Sequence, residues 1–236
     1  MTAFLGNILG SLLRMVYNMV STIGEEPAYI SFYAIAIIIT TIIFKLIILP
    51  LNLQQAKSTK KMSEVQPLMQ QIQTKYKNDP QTMQVKMQEL YKKHNYNPAS
   101  GCLPLLIQLP IIIAFFSVFR EPAKYAFTEP GFYEAMNKTF FWIQNLDQPD
   151  SLLWGFPLLA AATTYLQSLT MPSASNGDPK TAQTMKSMNT FMPIMIFFMT
   201  RGFAAGLALY WVVGNTFTII QQLISRRSLL KVKEEK

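Results

Sequence analysis

Residues 28–53 read AYISFYAIAIIITTIIFKLIILPLNL, an apolar run long enough to cross a bilayer that carries one charge, Lys45. An α-helix rises about 1.5 Å per residue, so about 20 apolar residues span the hydrocarbon core, and Lys45 lies only about 7 Å past the middle of the run. A lysine near the bilayer centre costs at least about 2.5 kcal/mol and usually faces a bundle interior or a wet cavity. Snorkelling is the alternative, in which the four-carbon stem carries the ammonium to the headgroups. About two helical turns separate Lys45 from Leu53, further than the stem reaches, so the sequence favours a hydrated, protein-lined cavity open towards the Leu53 side.

The rest of the 236 residues agree with a polytopic membrane protein: 50% are hydrophobic and only 14% charged, with 16 Phe, 14 Met and a net charge of +8. One cysteine, Cys102, excludes an intrachain disulfide, and together with one histidine, His94, it cannot make a zinc site. His94 reads as a solvated helix-end residue. No Gly-rich phosphate loop and no Ser/His/Asp or Cys/His set is present, so neither a cofactor, nor a metal, nor covalent catalysis is expected.

Five segments are apolar enough to cross a membrane: Tyr29 to Leu53, Leu103 to Phe119, Leu152 to Met171, Asn189 to Thr200 with its flanks, and Ala204 to Ile224. Arg201 and Gly202 read as a tight turn joining the last two as antiparallel helices. Residues 1–27 lack the features of a secretory signal, and Phe4, Leu5, Ile8, Leu12, Leu13, Val16, Met19, Val20 and Ile23 recur at helical spacing. An interfacial amphipathic helix is expected there, with a first membrane span as the alternative, since Asn7, Arg14 and Asn18 break the run. The expected organisation is therefore an all-α membrane protein: residues 1–27 as the interfacial helix, 28–225 as a five-span core, and 226–236 as a basic tail.

Alternating the loops across the membrane puts fifteen of the 21 basic residues on one face, five on the other, and Lys45 between them. Cytoplasmic loops carry the positive excess, so the N-terminus is expected outside and the C-terminus in the cytoplasm. All 13 acidic residues fall in loops or tails, which leaves Lys45 without a carboxylate in the spans. An unpaired cation in a membrane attracts water and anions.

Polar residues share the helical face of Lys45: Thr41 precedes it by one turn and Asn52 follows by two. The third span adds Thr164, Gln167 and Ser168, the fifth Trp211, Asn215, Thr218 and Gln222, and the second Gln108. For any one Thr or Ser, hydrogen bonding between helices is the plainer reading. Several amides and a lysine at one depth suggest a polar groove in the inner leaflet. Met185, Met188, Met192, Met195 and Met199 form a stripe on the fourth span, which reads as packing in a helix seam or as an adaptable greasy surface.

Residues 54–97 carry two further helical patterns, Met62, Val65, Met69, Ile72 and Tyr76, then Met83, Met87 and Leu90. Between them Asn78-Asp79-Pro80 sets an N-cap before a proline at the first helical position, so two antiparallel helices forming a cytoplasmic hairpin are expected. Pro67 is expected to kink the first. The lysines of this hairpin read as a solvated face or as a surface for lipid headgroups or RNA phosphates; no DNA partner is expected.

Gly101-Cys102-Leu103-Pro104-Leu105-Leu106-Ile107-Gln108-Leu109-Pro110, Leu49-Pro50-Leu51, and Leu207-Ala208-Leu209-Tyr210-Trp211 leading to Asn215 and Gln221-Gln222 resemble the YidC/Oxa/Alb membrane protein insertases, bacterial YidC branch, and the likeness covers nearly the whole chain. It implies five spans, a cytoplasmic hairpin, a hydrophilic groove open to cytoplasm and lipid but closed outside, and a bacterial plasma membrane location. The basic groove residue of the family maps to Lys45, and its polar groove positions map to Gln167, Trp211 and Asn215. Lys stands where Arg is usual, which excludes bidentate recognition. The large extracytoplasmic domain of Gram-negative members and a lipoprotein cysteine are not in this sequence, so a member without them is expected. Nascent membrane proteins, the bilayer, the ribosome and the Sec translocon are the implied partners. A small transporter or ion pathway using Lys45 as its substrate or proton site is the alternative, against which stands the lack of an inverted repeat.

Overall fold

The computed structural model describes residues 2–97, 103–170 and 179–234. Gly101 and Cys102 and part of the predicted Pro172 to Ser187 loop lie outside the described residues. Every regular element among them is helical: α1 (Thr2–Ser21), α2 (Phe32–Ile47), α3 (Leu49–Lys75), α4 (Pro80–Lys93), α5 (Leu103–Arg120), α6 (Pro122–Tyr125), α7 (Phe132–Ala135), α8 (Phe156–Thr170), α9 (Pro179–Thr200) and α10 (Ala205–Glu234).

Ser31 starts α2, its hydroxyl accepting from Ala34 N at 3.2 Å. The helix stops at Ile48 because Pro50 supplies no amide hydrogen and crowds the preceding turn. The chain bends there by 53° and continues as α3, so the first predicted span runs straight into the first helix of the predicted hairpin. No break falls at Gln54. Pro67 sits inside α3 without ending it.

Two helical stretches are long and apolar enough to cross a membrane, Ala3–Ser21 and Ala205–Ser225, and the bent pair Phe32–Ile47 with Leu49–Ala56 makes a third. Gln108–Arg120 and Asn189–Thr200 are shorter apolar stretches. α9 and α10 are joined by a turn at residues 201–204, where the sequence expects one, with Gly202 N donating to Met199 O at 3.1 Å. Leu158, Leu166, Leu169, Phe191, Ile194, Phe198, Ile220 and Leu223 stay exposed, an apolar coat suited to lipid.

The main core joins α1, α2, α5 and α10 around Leu9, Leu13, Ile37, Phe115, Phe119, Leu209 and Tyr210. Phe115 and Tyr210 stack with centroids 3.9 Å apart, locking α5 to α10. A separate small cluster, Val65, Leu90 and Tyr96, holds α3 against α4.

α1 shows three faces. Leu9, Leu13, Val16 and Val20 enter the core. Gly6, Gly10, Arg14 and Tyr17 lie along the segment after α5: a Cβ on Gly10 would sit 2.0 Å from Tyr125 O, and the Arg14 guanidinium lies 4.1 Å from the Phe132 ring centre while pairing with Glu129. Phe4, Ile8, Met15 and Met19 point outward, exposed. The outward side therefore mixes these apolar residues with Asn7, Ser11 and Asn18, and α1 docks on the bundle through its other two faces.

Candidate functional site

Lys45 lies in the last turn of α2 and is 8% exposed. Its Nζ donates to Thr218 Oγ1 on α10 at 3.2 Å, and none of the ion pairs among the described residues includes it. Thr41, one turn earlier, is fully buried; its hydroxyl donates to Ile37 O at 2.7 Å, so it packs beside the lysine stem rather than facing open space. Gly214 of α10 faces both residues, and a Cβ there would lie 3.2 Å from Lys45 Cε.

One stripe of α10 carries the rest. Trp211 Nε1 donates to Thr164 Oγ1 on α8 at 3.0 Å, and the Thr164 hydroxyl donates onward to Ala160 O at 2.7 Å. With its amide turned to satisfy its neighbours, Asn215 donates from Nδ2 to Gln167 Oε1 at 2.7 Å, and its oxygen lies 3.2 Å from Trp211 Nε1 and 3.3 Å from Thr163 Oγ1. Two turns along, Thr170 donates to Gln222. α10 thus stands between α2 and α8, offering Thr218 to one and Trp211, Asn215 and Gln222 to the other. This half-buried polar seam can hold water or a polar chain at the depth of a cation, and its groups are hydrogen-bond partners rather than acids or nucleophiles.

Lys45 and Thr41 pack against Gly214 and Thr218 of α10, and Thr164 and Gln167 of α8 bond Trp211 and Asn215 of the same helix. Gln108 joins neither set: it reaches the Tyr210 hydroxyl, within the α5–α10 packing. Asn52 lies past the bend on α3, half-exposed, and joins none of the described hydrogen bonds of Lys45. Among the described side chains of α9, Pro193, Ile196 and Thr200 are buried, while Met192 and Met199 flank them and Met195 is exposed. The Met188 side chain lies outside the described residues. Gly214, Thr163 and Thr170 join the site without standing out in the sequence; a glycine one position before Asn215 and four before Thr218 is the signal it carries.

The opposite ends of the three walls are pinned by residues 120–155. Ala205 N and Gly206 N, the first amides of α10, donate to Gln148 O at 2.9 Å and Leu146 O at 2.8 Å. Ser31 N donates to Thr139 O at 2.9 Å at the start of α2. Before α8, buried Asp150 accepts from Trp142 Nε1 at 3.0 Å, Leu152 N at 2.9 Å and Phe156 N at 2.7 Å. Lys138 pairs with Asp147 at 3.0 Å and lies over the Tyr133 ring, whose hydroxyl bonds Asp147. Burial, with Asp147 and Tyr33 alongside, pushes the Tyr133 phenol far above its ordinary range.

The family model described as 60Kd inner membrane protein matches residues 27–233. The chain belongs to this YidC/Oxa family. Among family relatives, "Membrane protein insertase YidC" of Clostridium tetani is 38% identical over 223 residues, covering 94% of this chain and 94% of that protein. The Clostridium perfringens protein of the same name is 42% identical over 193 residues, covering 80% and 76%. A solved structure of an active YidC insertase, with the first transmembrane domain resolved, aligns with a TM-score of 0.60 at 29% identity, covering 92% of this chain and 45% of that one. The chain therefore has a YidC-family fold with an all-helical membrane architecture.

Proposed function

We propose that this protein is a membrane protein insertase and chaperone of the plasma membrane. The observation that carries the reading is Lys45, 8% exposed, in no described ion pair, and bonded to α10, the helix whose other polar side chains engage α8. Its topology has five spans supplied by α2 with the start of α3, α5, α8, α9 and α10, the N-terminus outside and the C-terminus in the cytoplasm. α1 lies at the outer interface, and the rest of α3 with α4 forms a cytoplasmic hairpin. The pinned ends of α2, α8 and α10 are then the closed outer side, and the ends near Ile47, Thr170 and Gln222 open inward.

In this reading the hairpin helps receive nascent chains from the ribosome or the Sec translocon, and the groove admits a polar extracytoplasmic segment part-way into the membrane. Water around the seam shortens the hydrocarbon layer that segment must cross. Lys45 attracts acidic client residues, and in a partly buried setting a contact at 4 Å is worth about 4 kcal/mol before desolvation. The client helix then partitions sideways into lipid, driven by roughly 25 cal/mol per Å² of apolar surface and, for acidic tails, by about 2.3 kcal/mol per charge per 100 mV. No bond is made or broken.

Reconstitution tests this. Purified protein in liposomes should integrate a single-span client, judged by protease protection of its tail, without releasing a trapped small solute. Solute flux without client integration would favour a transporter instead.

A further inference from the structure

We propose that Gly214 and Thr218 form a socket that fixes where the Lys45 ammonium stands, making Gly214 a positioning residue for the groove charge; the inference rests on the insertase reading. The absent side chain of Gly214 leaves room for the lysine stem, since a Cβ would lie 3.2 Å from Cε, 3.7 Å from Nζ and 3.9 Å from Thr41 Cγ2. The first of these is tighter than ordinary van der Waals contact. Gly214 acts a second time through its backbone. Thr218 donates its hydroxyl proton to Gly214 O at 2.8 Å, which turns the oxygen lone pairs towards Lys45 Nζ at 3.2 Å. An ammonium has donors only, so a hydroxyl whose proton is committed elsewhere is a correctly polarised partner for it.

Glycine within a membrane helix is often a point of close helix packing and nothing more. Two features of this site go beyond that. What fills the space above Gly214 is the stem and charge of a lysine, not the backbone of α2. That lysine also enters no described ion pair, so its location is set by this socket and not by a carboxylate. The cation is thereby held against the α10 stripe that also carries Trp211 and Asn215.

The test is a double-mutant cycle in proteoliposomes with two clients that differ only in tail charge, one acidic and one neutral. Gly214→Val should cut insertion of the acidic client by roughly five- to tenfold, the loss expected when a charge contact lengthens by a few ångström, and change the neutral client less than twofold. In a Lys45→Ala background the same substitution should have no further effect on the acidic client. Thr218→Val, which keeps the shape and removes the acceptor, should reproduce part of the loss with the same client dependence. Equal losses for both clients, or a full Gly214→Val effect without Lys45, would overturn the socket and leave Gly214 as a packing residue. Wild-type activity on Gly214→Val would overturn it too. Should Gly214→Val fail to fold, Thr218→Val alone decides by the same client comparison. If the unmutated protein integrates neither client, the insertase reading itself has failed, which is a separate outcome.

Discussion

Lys45 Nζ and Thr218 Oγ1 stand 3.2 Å apart across α2 and α10, although 173 residues separate them in the chain. That contact puts a cation against the helix whose other polar side chains engage α8. Charge and hydrogen-bonding capacity therefore meet in one seam.

The sign of the charge should decide how acidic-tailed clients fare. Lys45→Arg is expected to preserve their insertion, Lys45→Ala to weaken it, and Lys45→Glu to weaken it most, by on the order of tenfold or more as attraction turns into repulsion. Insertion assays with matched acidic and neutral tails check this ranking, and equal activity of Lys45→Glu and wild type on the acidic tail contradicts it.

Asp150 should prove a stability residue. Its carboxylate serves three N–H donors, Trp142 Nε1, Leu152 N and Phe156 N, in a buried setting, and Gly155 leaves no room beside it because a Cβ would fall 2.1 Å from Oδ2. Asp150→Ala is expected to cost about 2 kcal/mol, since three N–H donors lose their acceptor and one of them, Phe156 N, stays buried. Gly155→Ala should be comparably harmful through overpacking. Thermal unfolding in detergent reads both, and unchanged melting would remove the pinning role of this segment.

α1 should detach when its glycine contact is filled. With Tyr125 O 2.0 Å from the position of a Gly10 Cβ, Gly10→Ala must push α1 off the segment after α5, at a cost of about 1–3 kcal/mol. Faster proteolysis within residues 2–21 in detergent, with the remaining bundle intact, is the expected result.

The cap of α4 carries a pH dependence. Asp79 accepts from Thr82 N at 3.1 Å and from the Thr82 hydroxyl at 2.6 Å, which together hold its carboxyl below the ordinary value of 3.8. A lowered carboxyl pKa stabilises the folded form above that ordinary value, and the benefit disappears as pH falls through the lower folded value. Hydrogen exchange at the first turn of α4 should thus be slow at neutral pH and accelerate in acid, relative to intrinsic rates, with the acid effect absent in Asp79→Asn.

The lysine and the polar stripe of α10 were legible because both stand out against an apolar background and share a helical period. What a sequence cannot show is which neighbour each residue meets. Gln108 looked like a groove residue, but the Phe115–Tyr210 stack fixes the rotation of α5 and turns it towards Tyr210. Thr41 shares the face of Lys45 as its spacing requires, yet is buried and bonded to its own helix. Gly214 does not stand out in the sequence because the absence of a side chain has meaning only once another helix is beside it. The bend at Ile48 departs from the unbroken span expected from Tyr29 to Leu53, with Pro50 as its cause, and the continuity of α3 from span into hairpin follows from a helix that needs no break where polarity changes. The docking of α1 rests on tertiary fits at Gly6, Gly10 and Arg14 that no periodicity reveals.

Insertion by this route requires a hydrated seam, which single cysteines report. In a Cys102→Ser background, Gln167→Cys and Asn215→Cys should react with a membrane-impermeant thiol reagent added from the cytoplasmic side, because thiolate forms only where water reaches, while Leu159→Cys on the lipid-facing outer half of α8 should not. Reaction of the inner pair from outside would indicate a through-pore, and no reaction from either side would mean that Lys45 has no wet groove to serve.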